Sequence, residues 1–349
     1  MSEITEGYRV PDEPSADERP AKTWQDYGRE WLDTLVVAIS VAMCFRAYFF
    51  EPFNIPTGSM QPTLYGNHYR PCETPGFWDT TPVLRWGRWL LTGYDYKELT
   101  APCDGLLVVR GRMDGRKDLI VCDKSGRTDR AVAKICVPAD APLASGVALT
   151  DAYADAQGNR VSGPPYAPVR RGQRLFRGYD VTGDFIFVNR LTWNFRQPRR
   201  GDVMVFSTTG IQGLQQGTHY IKRMAGVPGE TVDFAVSDAR RQPFDGTPGY
   251  DLVVNGAKVA YDKPTGARGE PPPAPSPLPK GSVPGKVWDP PYVLRNEPGA
   301  RDYLAFGDNS YPVQRSLDSR YFGPVPEEKL RGCASVVFWP FNPRWGAIK

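Results

Sequence analysis

Ser59 and Lys222 are the residues with the strongest claim to chemistry. Ser59 lies in Pro56-Thr57-Gly58-Ser59-Met60-Gln61-Pro62-Thr63. A glycine before a serine lets the backbone bend and approach a substrate closely, and the serine amide can then face a developing oxyanion. The same octapeptide also reads as an ordinary turn. Lys222 stands in Tyr220-Ile221-Lys222-Arg223-Met224-Ala225-Gly226-Val227-Pro228-Gly229-Glu230, among apolar and aromatic neighbours in strand-like alternation. Full burial can lower a lysine pKa by about 3–5 units, and a neutral amine is a usable general base near pH 7. The plain alternative is a surface strand lysine whose charge is solvated. A third segment runs Phe306-Gly307-Asp308-Asn309-Ser310 and then Ser316-Leu317-Asp318-Ser319-Arg320-Tyr321-Phe322-Gly323. It supplies small polar groups that could orient a buried amine, or else a turn and a surface ion pair between Asp318 and Arg320.

The chain that must position these segments has 349 residues and a net charge of +4, with 43 Lys and Arg against 39 Asp and Glu. That length points to two domains, or to one domain with large insertions. Charge so evenly balanced leaves no footprint for a nucleic-acid partner. Glycine and proline number 35 each, which argues against a helical bundle and for a turn-rich, mainly β body. Two histidines, His68 and His219, leave little room for a His-based metal site or triad. Six cysteines without a Cys-x-x-Cys pair do not read as a zinc ribbon. Neither a metal nor a cofactor is expected.

Residues Met1 to Lys22 are rich in Pro, Asp and Glu without apolar periodicity, the composition of a disordered tail. Trp31 to Phe50 follows, with an uncharged core from Thr34 to Phe45 that is short of the roughly 20 apolar residues of a spanning helix. Asp33 and Arg46 at the two interfaces, with Trp31, Tyr48, Phe49 and Phe50 as aromatic belts, extend it to a membrane helix ended by Pro52. A buried core helix and the h-region of a cleaved leader are the alternatives. The latter is weakened by the long acidic segment before it and by Arg46 where small residues belong. Arg9, Arg19, Lys22 and Arg29 precede the span and only Arg46 follows closely, which puts the N-terminus in the cytoplasm. Beyond it, Leu106–Val109, Phe185–Val188, Val203–Phe206, Leu252–Val254 and Ala334–Trp339 read as short strands.

Pro-Thr-Gly-Ser-Met-x-Pro-Thr, Arg-Gly-Asp-Val-x-Val-Phe (Arg200 to Phe206), Tyr-Ile-Lys-Arg-x-x-Gly-x-Pro-Gly-Glu and Gly-Asp-Asn…Ser-x-Asp-Ser-Arg-Tyr-x-Gly occur in one order behind one apolar segment. This set resembles the type I signal peptidases, bacterial membrane-bound serine proteases with a Ser/Lys dyad. The similarity covers about Trp31 to Thr63, Asp184 to Gly256 and Tyr303 to the C-terminus. It implies Ser59 as nucleophile and Lys222 as general base. The Ser59 N–H and the Thr57 hydroxyl would form the oxyanion site. Ser316 would orient the lysine, and Asp308, Asp318 and Arg320 would hold the loops together. Met60, Leu64, Tyr220 and Ile221 would line shallow pockets for small residues. Substrates would be exported preproteins cut after an Ala-x-Ala-like site by a single-pass enzyme of the cytoplasmic membrane, its body on the outer side of the lipid bilayer. Contact with the export machinery is left open.

The implied organisation is a disordered cytoplasmic tail (1–30), a transmembrane helix (31–51) and a catalytic β-sheet or barrel body (52–66 and 184–349). A β-rich subdomain (67–183) is inserted in that body, as is a Pro-rich loop (262–300) containing the six prolines of Glu270 to Pro279. Two departures stand out. The family joins Gly66 directly to Gly183, and it usually places three residues, not the six of Ser310 to Arg315, before the equivalent of Ser316. Cys122 and Cys136 could bridge a hairpin in the insertion. Three other functions compete: a catalytically silent anchored β-domain acting as a scaffold, a Ser-Lys self-cleaving regulator, and a Ser-His variant through His68 or His219.

Overall fold

The computed structural model describes residues 23–112, 114–123, 131–154, 160–241, 248–259, 289–309 and 316–348. The expected tail up to Lys22, the prolines of Glu270 to Pro279 and the Ser310 to Arg315 loop lie outside these residues. Helix α1 (Trp24–Tyr48) forms a unit of its own with no buried residue. Asp26 accepts hydrogen bonds from the Thr23 amide and hydroxyl at 2.8 and 2.7 Å, closing its first turn. Among the described residues it is the one helix long and apolar enough to cross a membrane. At 1.5 Å per residue it is ~37 Å long, against a hydrocarbon layer of ~30 Å. It starts earlier than the expected 31–51 and ends sooner, because Phe50 already enters a strand opposite Asn189. Pro52 therefore does not end the helix. It lies inside an edge strand, where its missing N–H is tolerated.

The second unit, Phe49–Lys349, is mainly β. Its largest sheet has nine strands in the order Phe50–Asn54, Phe185–Asn189, Leu330–Trp339, Val203–Ser207, His219–Gly226, Ala300–Phe306 and Asn296–Glu297. Val325–Pro326 pairs with Ala300–Phe306 and Gly346–Ala347 with Leu330–Trp339, both off this path. All five expected strand runs fall within strands, two of them in other sheets. Val203–Ser207 is buried along its whole length, as its unbroken apolar run requires. Its side chains alternate between two cores. Val203 and Val205 pack with Ile186 and Val188, while Met204 and Phe206 pack with Met224 and Tyr303. A four-stranded sheet of Thr231–Arg241, Pro248–Val254, Ala257–Val259 and Tyr292–Val293 builds a third core around Phe306 and Leu304.

Between Gly66 and Gly183 the chain builds a three-stranded sheet (His68–Arg70, Arg174–Val181, Tyr94–Thr100) and a five-stranded one centred on Gly105–Gly111 and Arg116–Cys122. Helices α2 (Phe77–Thr80) and α3 (Pro82–Thr92) precede the Tyr94–Thr100 strand. Leu107, Leu119, Val137, Leu175 and Phe176 form a core drawn from this stretch alone. Its two ends are pinned together. The Asp184 amide donates to the Tyr65 carbonyl and the Tyr65 amide to the Asp184 carboxylate, both at 2.8 Å, while Arg344 grips the same carboxylate at 2.8 and 2.9 Å. The expected Cys122–Cys136 bridge does not form. Cys122 sits opposite Ala131 and Cys136 opposite Asp118, four positions apart along the ladder, which is ~13 Å and beyond a disulfide's reach.

Candidate active site

Ser59 occupies a single 3₁₀ turn, Gly58–Met60, entered through Thr57 in extended conformation. Met60 and Leu64 fix this loop from below, both 0% exposed in the core with Ile186 and Val188. They back the loop; no part of either side chain reaches the surface. From above, the Asn309 amide donates to the Ser59 carbonyl at 3.0 Å, and its side-chain Nδ2 donates to the Gly58 carbonyl at 2.9 Å. Gly307 lies so close that a Cβ there would collide with Ser316 Oγ and the Ser59 carbonyl. A side chain at 307 would thus push the serine loop away.

Lys222 lies on His219–Gly226, opposite Met204 of the buried Val203–Ser207 strand. Residues 220 and 222 face one way and 221 the other, so Tyr220 joins the core on the lysine side and Ile221 packs against the opposite one. Both are half-buried at the surface end of the strand. The lysine itself is 4% exposed and the serine 9%. Nζ lies 2.7 Å from Ser59 Oγ and 5.7 Å from the Tyr220 ring centre. Burial lowers the amine pKa to about 8, against the opposing pull of Asp318 and Asp308 and with help from Arg320.

Each of those two carboxylates is itself paired with an arginine. Arg223 grips Asp308 at 2.8 and 2.7 Å and reaches the Gly201 carbonyl at 2.8 Å; Thr63 also donates to Asp308. Arg320 grips Asp318 at 2.7 and 2.8 Å with both side chains 0% exposed, and Asp318 accepts from the Gly307 amide at 3.3 Å. Bidentate pairing of this kind uses up the carboxylate oxygens. Ser316 is buried beside Gly307, and its hydroxyl has no hydrogen-bond partner among the described residues, Lys222 included. Thr57 is exposed and makes no capping bond with its side chain.

Arg223, Asn309 and Asn67 escaped the sequence reading as individual site residues. The first two lie inside quoted motifs, directly after Lys222 and Asp308, so their position was a usable signal. Asn67 had none. Its amide donates to the Pro56 carbonyl at 3.2 Å, its Nδ2 to the Asp114 carbonyl at 3.1 Å, and its Oδ1 accepts from Gly183 at 3.0 Å. Gly115, at φ +71°, rests on the same Pro56 carbonyl so closely that a Cβ would overlap it. A hairpin of the inserted subdomain thus touches the segment leading into Ser59. The histidines lie elsewhere. His68 bonds the Gly66 carbonyl at 2.9 Å, His219 packs edge-on to Phe53, and among the described residues neither hydrogen-bonds Ser59.

The family model described as signal peptidase, peptidase S26 matches residues 28–76 and 180–339, more than half of the chain. The chain belongs to the S26 signal peptidase family. It is 30% identical over 162 residues to a signal peptidase I of Leptolyngbya laminosa, covering 46% of this chain and 62% of that one. It is 30% identical over 161 residues to signal peptidase I of Bacillus licheniformis, covering 46% and 69% of the two chains. To signal peptidase I T of Bacillus subtilis strain 168 it is 31% identical over 161 residues, covering 46% and 67%. The S26 match holds Ser59, Lys222, Asp308 and Asp318 and breaks over 77–179, the stretch that carries α2, α3 and the five-stranded sheet.

Proposed function

We propose that this chain is a membrane-anchored endopeptidase that removes N-terminal signal peptides from exported preproteins, with Ser59 as nucleophile and Lys222 as general base. The observation that carries this reading is the buried amine 2.7 Å from the Ser59 hydroxyl. With the amine neutral, the hydroxyl donates its proton to Nζ as Oγ attacks the scissile carbonyl carbon. The negative charge that develops on the carbonyl oxygen faces the Ser59 N–H and the Thr57 hydroxyl. The new ammonium then protonates the leaving amine, which departs as the N-terminus of the mature protein. Water attacks the acyl-enzyme, giving its proton to Nζ, and that proton returns to Oγ as the signal peptide leaves. Ser316 keeps a positioning role here, its unpaired hydroxyl lying beside Gly307 and available to the amine once Ser59 is acylated.

Two strand edges support an extended substrate. Phe50–Asn54 is the sheet's outermost strand, and His219–Lys222 is paired on one side only, since Ala300–Phe306 joins at Arg223. A peptide can add to such edges by main-chain bonds, with alternate side chains entering pockets. Tyr220 and Ile221 flank that edge, which suits the small residues of an Ala-x-Ala-like site. Met60 and Leu64 contribute only as the floor beneath it. The apolar α1 supports a reaction at the cytoplasmic membrane, and the excess of Arg and Lys on its N-terminal side favours an N-terminus in the cytoplasm and a body on the outer side.

The test is cleavage of a model preprotein by the purified chain in detergent or proteoliposomes, with the new N-terminus sequenced. Ser59→Ala and Lys222→Ala are each expected to abolish processing while membrane insertion persists. Cleavage near the unmodified rate in either variant overturns the dyad.

A further inference from the structure

The segment that leads into Ser59 is backed at three successive residues. A Cβ on Gly183 would overlap the Ile55 carbonyl, one on Gly115 the Pro56 carbonyl and one on Gly66 the Thr57 backbone. Gly66 and Gly183 flank the inserted stretch, and Gly115 lies at the tip of its hairpin between Gly105–Gly111 and Arg116–Cys122. These are contacts between backbones, so their closeness depends on what holds the hairpin tip against Asn67. Arg116 does both. One guanidinium nitrogen lies 3.1 Å from Asp180 Oδ2, and the other donates to Asn67 Oδ1 at 3.3 Å. Asn67 in turn reaches the Pro56 carbonyl through its amide and the Asp114 carbonyl through its side chain.

Asp180 does not need Arg116 for charge balance. The residue is 2% exposed, and Lys97 already donates to the same Oδ2 at 2.7 Å, while Oδ1 has no hydrogen-bond partner among the described residues. A cation placed for neutralisation alone would have had that free oxygen to occupy. What the arginine adds is its rigid fork, which holds two acceptors at a fixed spacing where an ammonium is a single point of charge. We propose that Arg116 is a positioning residue for Ser59. Anchored on Asp180 of the three-stranded sheet, it sets Asn67, and through Asn67 the Pro56 carbonyl and the backbone that aims the Ser59 N–H and the Thr57 hydroxyl. The inserted subdomain, which has a core of its own, thereby takes part in forming the oxyanion site. This inference rests on the Ser59 and Lys222 dyad proposed above.

Arg116→Met and Lys97→Met each remove one cation from Asp180 and leave the other, so the carboxylate stays paired in both; only the first loses the bond to Asn67. Steady-state cleavage of a short peptide in detergent is measured on the full chain, with folding checked by circular dichroism. Arg116→Met is expected to lower kcat by about 10-fold with KM little changed, and Lys97→Met to leave kcat near its unmodified value. Arg116→Lys, which keeps a cation beside Asp180 without the fork, is expected to share the loss. In an Asn67→Ala background Arg116→Met is expected to add no further loss, because both act through one contact. Unchanged kcat in either Arg116 variant, an equal fall in Lys97→Met, or additive losses with Asn67→Ala overturns the positioning role. Retained cleavage in Ser59→Ala is a different failure, that of the dyad on which the inference rests.

Discussion

A lysine can act as a base at Ser59 only if it is neutral, and burial drives it that way against the pull of Asp318 and Asp308, with Arg320 on the side of burial. With the amine pKa at about 8, kcat/KM is expected to rise with pH along a limb centred near 8 and then level off. A profile flat from pH 6 to 10 would contradict the dyad. Arg320→Gln removes a neighbouring positive charge and unpairs Asp318. Both changes favour the ammonium, so the limb is expected to move to higher pH, a shift that a loss of folded protein alone would not produce. The same burial has a stability cost whose sign is fixed. The folded pKa lies below the unfolded value of ~10.4, so the penalty is full below about pH 8 and fades as pH rises to ~10.4. Lys222→Met is therefore expected to stabilise the fold at pH 7 by at most about 3 kcal/mol, read as a higher thermal midpoint, and to give no gain near pH 10.5. At this scale the sequence was informative because Ser59 and Lys222 sit in dense local motifs. It was silent on the lysine's burial, which is made by Met204 and the aspartate pairs from distant segments.

At the scale of elements, the loop before Ser59 is held by a hairpin belonging to the insertion. Gly115→Ala would force a Cβ against the Pro56 carbonyl at a φ of +71°, and Asn67→Ala would strip side-chain bonds of 3.0 and 3.1 Å. Each is expected to lower kcat by roughly 10–100-fold with a smaller change in KM, read by steady-state cleavage of a short peptide. Strands were legible wherever the apolar pattern was unbroken or alternating, as in Val203–Phe206 and Phe185–Val188. The end of α1 was not legible, because pairing of Phe50 with Asn189, far along the chain, overrides a local pattern that favours continued helix. The hold of Asn67 on Pro56 was hidden for the same reason, since nothing near either residue announces the other.

In the reaction proposed above, the apolar N-terminal helix would find the substrate and the β body would cut it. Removal of Met1 to Tyr48 is expected to slow cleavage of a membrane-embedded preprotein far more than cleavage of a short soluble peptide. The body keeps every residue around Ser59 and loses only its covalent tie to the proposed anchor. Equal slowing of both substrates, measured side by side, would mean that the helix also shapes the site.

The pinned seam at Tyr65 and Asp184 makes residues 67–183 a cassette, since its entry and exit already lie within bonding distance and a short splice could rejoin them. Excision would nevertheless uncover the Pro56 carbonyl, on which Gly115 now rests. A graft of this cassette into a relative that lacks it would therefore need a matching landing place ahead of the nucleophile, and without one it would hang from its seam as inert cargo.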